Sequence, residues 1–121
     1  MSANNTYLAV FLGSKQSQRS KDWWALPESE RQAKIQEGMA AWGGWMEKHK
    51  DSVIEGGGPL GKTKQVNGRG VADVTNSMSA FTLVRAESHE AAAKLFENHP
   101  HFAIFPGDAI EIMPVLPVPV R

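Results

Sequence analysis

The stretch Gly56-Gly57-Gly58-Pro59-Leu60-Gly61-Lys62-Thr63 (GGGPLGKT) fits the pattern G-x-x-x-x-G-K-T. Read as a phosphate-cradling loop, it would make this a nucleotide-binding protein built on a doubly wound parallel sheet. That chemistry has three requirements: loop amides converging on phosphate oxygens, a lysine reaching the outer phosphates, and a helix whose N-terminus faces the anion. Val53 to Glu55 can serve as the preceding strand. After Thr63, however, only Lys64, Gln65, Val66 and Asn67 precede Gly68 and Gly70, so no amphipathic helix can start there. Asp73 is a weak candidate for magnesium, and the chain that remains is too short for the further βα units of a doubly wound sheet. The glycines therefore read as a turn that permits positive φ, and Lys62 as a solvated surface residue. A different fold is needed.

The flanking segments supply one. Thr6 to Gly13 (TYLAVFLG) is a short apolar run of strand formers ended by glycine, expected to be a buried strand. Ser14 to Asp22 is polar, with Lys15, Arg19 and Lys21, and reads as a solvated loop. Trp23 and Trp24 then lead into a helix, expected against the core or a subunit interface. Pro27 suits a first helical turn, with Glu28 and Glu30 near its positive end. Ile35, Met39, Trp42 and Met46 step by helical intervals along one face. The spacing predicts a helix over about 27–49. It contains Gly38, Gly43 and Gly44, read first as sites of close backbone packing and second as room beside Trp42 and Trp45 for a ligand.

Val53 begins a second strand. Residues 62–66 read as a hairpin arm, with Asn67 to Gly70 (NGRG) as its turn. Ser79 to Glu87 is a third strand. Ser88 is the expected N-cap of a helix from His89 to about Asn98, with Ala91, Ala92, Leu95 and Phe96 inward and Pro100 as its stop. Ala109 to Val115 is a last strand. The tail from about 114 to 121 (PVLPVPVR) should be extended, since its prolines cannot lie in a central strand. The order is β-α-β-(β)-β-α-β, with no repeat and no linker, and one domain is expected over residues 1–121.

Composition narrows the function. Thirteen Lys and Arg balance thirteen Asp and Glu, so the basic footprint of a nucleic-acid binder is missing. The absence of cysteine removes disulfides, thiolate metal sites and cysteine nucleophiles. No apolar run is long enough for a membrane span, and MSANNTYLAVFLGSKQ lacks the basic lead of a signal peptide. A cytoplasmic location is expected, with no cofactor and no metal.

One cluster carries chemistry. Asn98 to Asp108 (NHPHFAIFPGD) gathers His99, His101 and Asp108. Two histidines and a carboxylate can act as a base with its orienting partner, or ligate a metal. Two histidines separated by one proline lack the specificity of a pair one helical turn apart. The residues also admit a structural reading: His99 at a helix end, His101 in a loop, and Asp108 in a Pro-Gly-Asp turn. His49 and His89 read as surface histidines.

The ordered set YLAVFLG, a tryptophan-proline-glutamate helix entry, GGGPLG, SHEAAAKLFENHP and GDAIEIMPV resembles YCII-related proteins. These include a DGPF-type branch and belong to the dimeric α/β-barrel superfamily. The resemblance covers nearly the whole chain. It implies a ferredoxin-like βαββαβ subunit (an α+β fold) whose sheet faces that of a second copy in a homodimer. The first strand, apolar at almost every position, suits a sheet covered on both faces, and the proline-rich tail could cross onto the partner. Some proteins of this family are proposed to use a histidine of the first helix and an aspartate before proline as an acid–base pair. Those positions fall here at Trp45 and His99, the DGPF tetrapeptide is absent, and Met113 stands where relatives often have arginine. Activity known elsewhere in the family includes dehydrochlorination of a chlorinated hydroquinone.

The resulting expectation is a homodimeric small-molecule enzyme of lyase or isomerase type. Its cleft lies between the sheet and the long helix, lined by Trp42, Trp45, Met46 and Phe81. His99 would act as general acid or base, with His101 or Asp108 orienting it, on a small aromatic or acidic ligand. The alternative is a homodimeric ligand-binding or interaction module without catalysis. A nucleotide-dependent enzyme ranks third.

Overall fold

The computed structural model describes residues 5–119. Strand β1 (Thr6–Leu12) occupies an inner position of a four-stranded antiparallel sheet of order β2-β5-β1-β6. It pairs on one side with β5 (Met78–Arg85) and on the other with β6 (Ala109–Pro114). Strand β2 (Val53–Pro59) lies outside β5. Two helices, α1 (Gln18–Ala25) and α2 (Glu28–Lys48), connect β1 to β2. After β5 come α3 (His89–Lys94) and α4 (Pro100–Ala103). A separate hairpin of β3 (Thr63–Asn67) and β4 (Gly70–Val74) is inserted between β2 and β5. Without the hairpin this is a mixed α+β arrangement consistent with a ferredoxin-like subunit. Among the described residues, no helix is long and apolar enough to cross a membrane.

The period-2 alternation of β1 sorts its residues. Tyr7, Ala9 and Phe11 are buried and Leu8, Val10 and Leu12 half-buried. Tyr7, Ala9 and Phe11 join Trp45, Val84, Ala92 and Phe96 in the core. Cross-strand register groups Leu8 with Leu83 and Met113, and Val10 with Phe81, on the opposite face.

Several sequence expectations need correction. The supposed loop at 14–22 contains most of α1. Ser17 caps it by accepting from the Ser20 amide at 3.2 Å, and Ser20 and Trp23 are buried. Arg19 is not merely solvated. Its Nε donates to Gly107 O at 2.9 Å and its Nη2 to Phe102 O, which ties α1 to the loop before β6.

The glycines Gly56 to Gly58 are not a turn but part of β2, whose pairing with β5 shifts register twice. Gly57 does adopt the expected positive φ, 68°, and a side chain there would overlap the Phe81 carbonyl. The second helix stops early, α3 ending at Lys94. Asn98 takes φ 59°, and Pro100 opens the short helix α4 instead of only ending the previous one. Proline suits that first position, where no amide donor is needed. On α2 the buried positions are Gly38 and Trp45, while Met39 is exposed. Gly38 packs against Phe105 and Ile104 side chains; Gly43 and Gly44 face open space.

Candidate functional site

A cleft of about 640 Å³ opens between α2 and the β2–β5 side of the sheet. Met39, Trp42, Gly43 and Met46 wall it from α2, and Gly56 to Pro59 from β2. Ser79 to Thr82 border it from β5, and His101 and Phe105 close it from the α4 side. No Lys, Arg, Asp or Glu lines it, and His101 is its single histidine.

His101 is held from several directions. Its backbone amide donates to His99 Nδ1 at 3.0 Å. Its Nε2 lies 2.8 Å from Leu12 O. A carbonyl can only accept, so Nε2 carries the proton and Nδ1 of the neutral ring is an acceptor. Gly107 lies so close to the imidazole that a side chain there would overlap the ring. Leu12 O also accepts from the Asp108 amide at 2.9 Å, and Gly107 N donates to His101 O at 2.9 Å. Together with Arg19, these bonds make the 101–108 segment a braced corner.

Burial lowers the pKa of His101. The Leu12 and Ala109 carbonyls and the Asp108 charge oppose that shift, while Arg19 adds to it. The ring is thereby kept neutral near pH 7, able to accept a proton through Nδ1.

His99 lies behind the cleft rather than in it. Its residue is fully buried, and its Nδ1 caps α4. Its ring centroid lies 4.6 Å from that of Trp42, 4.9 Å from Trp45 and 5.1 Å from Phe11. With Nδ1 accepting, Nε2 carries the proton, and that N–H has no hydrogen-bond partner. Aromatic rings surround it in place of an acceptor. Burial pushes its pKa down to about 4, and the neighbouring His101 and His49 push the same way.

The other candidates divide. Trp42 and Met46 line the cleft; Trp42 also stacks on Phe11 with centroids 5.4 Å apart. Phe81 is among the lining residues, although its register partner Val10 belongs to the opposite sheet face. Trp45 is turned into the core, donating from Nε1 to Leu95 O at 2.8 Å and packing on Phe96. Asp108 is exposed, and its Oδ2 accepts from the Ser14 amide at 2.9 Å. No hydrogen bond joins it to either histidine among the described residues. No group of three His, Asp or Glu able to hold a metal occurs among those residues either. His89, read as a surface histidine, is exposed but stacks on Tyr7 and hydrogen-bonds Ile112 O at 2.7 Å.

Sequence reasoning did not assign Gly56 to Gly58 to a cleft wall, and it singled out neither Phe105 nor the brace from Arg19. The glycine triplet was visible, but its meaning depends on which helix faces it. The Arg19 contacts span more than eighty residues of chain and leave no local pattern.

A scan against protein-family models finds no match, and a search of curated proteins finds none. Among solved structures, the chain is similar to the 5-chloro-2-hydroxyhydroquinone dehydrochlorinase of Burkholderia phenoliruptrix AC1100, solved in complex with 2,5-dihydroxybenzoquinone. The TM-score is 0.53 at 18% identity, over 89% of this chain and 90% of that one. That likeness shows a shared fold.

Proposed function

We propose that this chain is a homodimeric small-molecule enzyme of acid–base type, whose apolar cleft takes a small neutral, largely aromatic ligand and whose His101 exchanges a proton with it. The observation that carries this reading is a single titratable side chain facing an otherwise apolar cleft. The cleft volume falls in the range of small-molecule sites, which typically combine apolar walls with a few placed polar groups. An imidazole neutral near pH 7, with one nitrogen an acceptor, is suited to general-base work. His99 acts as a positioning residue by accepting the His101 amide, and Asp108 acts through its charge.

The lack of any cation in the cleft favours neutral rings over free carboxylates, which sharpens the expectation of an aromatic or acidic ligand. A protein of similar fold holds the flat ring 2,5-dihydroxybenzoquinone, which supports the same size class. The reaction type is lyase or isomerase chemistry. The apolar set Leu8, Val10, Leu83 and Met113 supports a homodimer, because a second sheet would cover it. A single domain over 1–121, with its proline-rich tail reaching the partner, belongs to the same reading.

Gly43 provides the test. It lines the cleft, and a Cβ there would meet nothing within 4 Å. Gly43→Leu should therefore fill the cleft without disturbing the core. A thermal-shift series with small phenols should raise the midpoint of the wild type and leave that of Gly43→Leu unmoved. Equal shifts in both proteins would remove the cleft from the account.

A second reading, a ligand-binding module without catalysis, is favoured by the absence of a second titratable group in the cleft. It predicts binding by wild type and His101→Ala alike, with no His101-dependent hydrogen exchange into the bound ligand. Light scattering of Leu8→Glu against wild type tests the dimer. A monomeric variant of a dimeric wild type supports it, and a monomeric wild type excludes it.

A further inference from the structure

A second concavity, of about 610 Å³, lies where the β1–α1 loop meets the base of the hairpin. Lys15, Lys62 and Lys64 line it with Thr63, Thr75 and Asn76. We propose that this groove binds a small oxyanion, a phosphate or carboxylate group, through Lys15, Lys62 and the Thr63 hydroxyl.

Charge is the first argument. The chain is neutral overall, yet three lysines converge here on a groove with one acid, Asp73. That acid is engaged by Lys64, Nζ to Oδ1 2.6 Å. Lys15 and Lys62 take part in neither of the ion pairs found among the described residues. Two cations thus face one polar concavity without a counter-charge.

Hydrogen bonding is the second argument. The Met78 amide donates to Asn76 Oδ1 at 2.8 Å, which fixes the orientation of that side-chain amide. Asn76 Nδ2 is then left to donate to Thr63 Oγ1 at 3.3 Å. With its oxygen accepting, the Thr63 hydroxyl proton is available to an anion in the groove. Hydrogen bonds from such donors to an ionised oxygen are stronger than neutral ones.

The site differs in kind from a nucleotide loop. Lys62 and Thr63 come from GGGPLGKT, but a strand follows them, so no helix end points at the anion. Asp73 holds Lys64 and is not set aside for magnesium. The ligand is therefore a small anion bound without metal. Both free lysines are exposed, so binding should be weak and strongly screened by salt. The groove is also distinct from the cleft. The Leu60 amide donates to Ser79 O at 2.8 Å, and Leu60, which lines neither, separates Pro59 of the cleft from Gly61 of the groove.

The test is an amide NMR titration at low ionic strength with inorganic phosphate and, separately, succinate, against sodium chloride as the ionic control. The expected result is saturable shifts at Lys15 and residues 61–64 with at least one of the two anions. They should weaken roughly tenfold or more in Lys15→Ala/Lys62→Ala, and disappear when salt shortens the Debye length to a few ångströms. Which anion saturates identifies the phosphate or carboxylate source. Thr63→Val should weaken binding with the lysines intact. The proposal is overturned by shifts that never saturate with either anion, by saturation unchanged in the double lysine variant, or by an absolute need for magnesium. It is equally overturned if the responding amides are those of Trp42 and His101. The rest of each variant's spectrum reports whether its fold is intact.

Discussion

The two concavities of this molecule share one stretch of sequence and have opposite chemistry. Gly56 to Pro59 wall a cleft with no charged side chain, while Gly61 to Lys64 line a groove with three lysines and one aspartate. The division falls at Leu60. Before it the chain is a bulged strand held against β5, and after it the chain enters a hairpin whose strands pair with each other. A motif that looks like one phosphate loop is therefore two half-sites, each with a different neighbour. On the proposals made above, selectivity in the first would come from shape and one imidazole, and in the second from charge.

The largest expected effect would break the cleft wall. Gly57→Ala forces a Cβ into the Phe81 carbonyl at a positive φ. It should cost about 3 kcal/mol or more in urea unfolding, combining backbone strain with displacement of β5. A cost below about 1 kcal/mol would mean that the bulge is not as described.

Next is acid. His99 has its pKa pushed down to about 4 in the fold, against about 6.5 in an unfolded chain. The unfolded state then binds more protons between these values. Stability from this group is full above about pH 6.5 and falls as the pH drops towards 4, by up to about 3 kcal/mol. His101 shifts the same way and adds to the slope. In His99→Phe the slope of unfolding free energy between pH 6.5 and 4 should be clearly shallower. An unchanged slope would show that His99 is not buried neutral.

A smaller effect sharpens the cleft. Gly43→Leu should raise stability by about 0.5–1 kcal/mol through helix propensity while removing ligand binding. A loss of stability would mean that the space beside Trp42 is already filled. Smallest of all is the groove. Its ion pair is exposed, so Lys64→Ala should change stability by no more than about 0.5 kcal/mol in the same urea assay.

The comparison also marks what could be read from sequence. The strands β1, β2, β5 and β6, the long helix after Pro27 and the Asn67–Gly70 turn follow from periodicity and turn chemistry, and the structure carries them. The helix α1 was hidden because its cap, Ser17, sits in a polar run whose single buried tryptophan gives no period. Pro100, expected as a stop, opens α4, since proline can end one helix and begin the next. The inversion of the two histidines has a similar cause. His99 and His101 are equivalent in composition, and only the α4 turn sends one into the aromatic core and the other to the cleft. Trp42 and Trp45 divide as well: three residues apart on α2, they point about 60° apart around the helix axis, so Trp42 meets the cleft while Trp45 lies deeper in the core.

The proposed role of His101 is that of the acid–base group of a ligand cleft. The most direct measurement is a nitrogen-15 spectrum of the imidazole rings during titration with phenol. A saturable change is expected at His101 Nδ1, with little change at His99 and no saturable change in Gly43→Leu. A saturable change at His101 that persists in Gly43→Leu, or phenol binding that leaves His101 untouched, would contradict it.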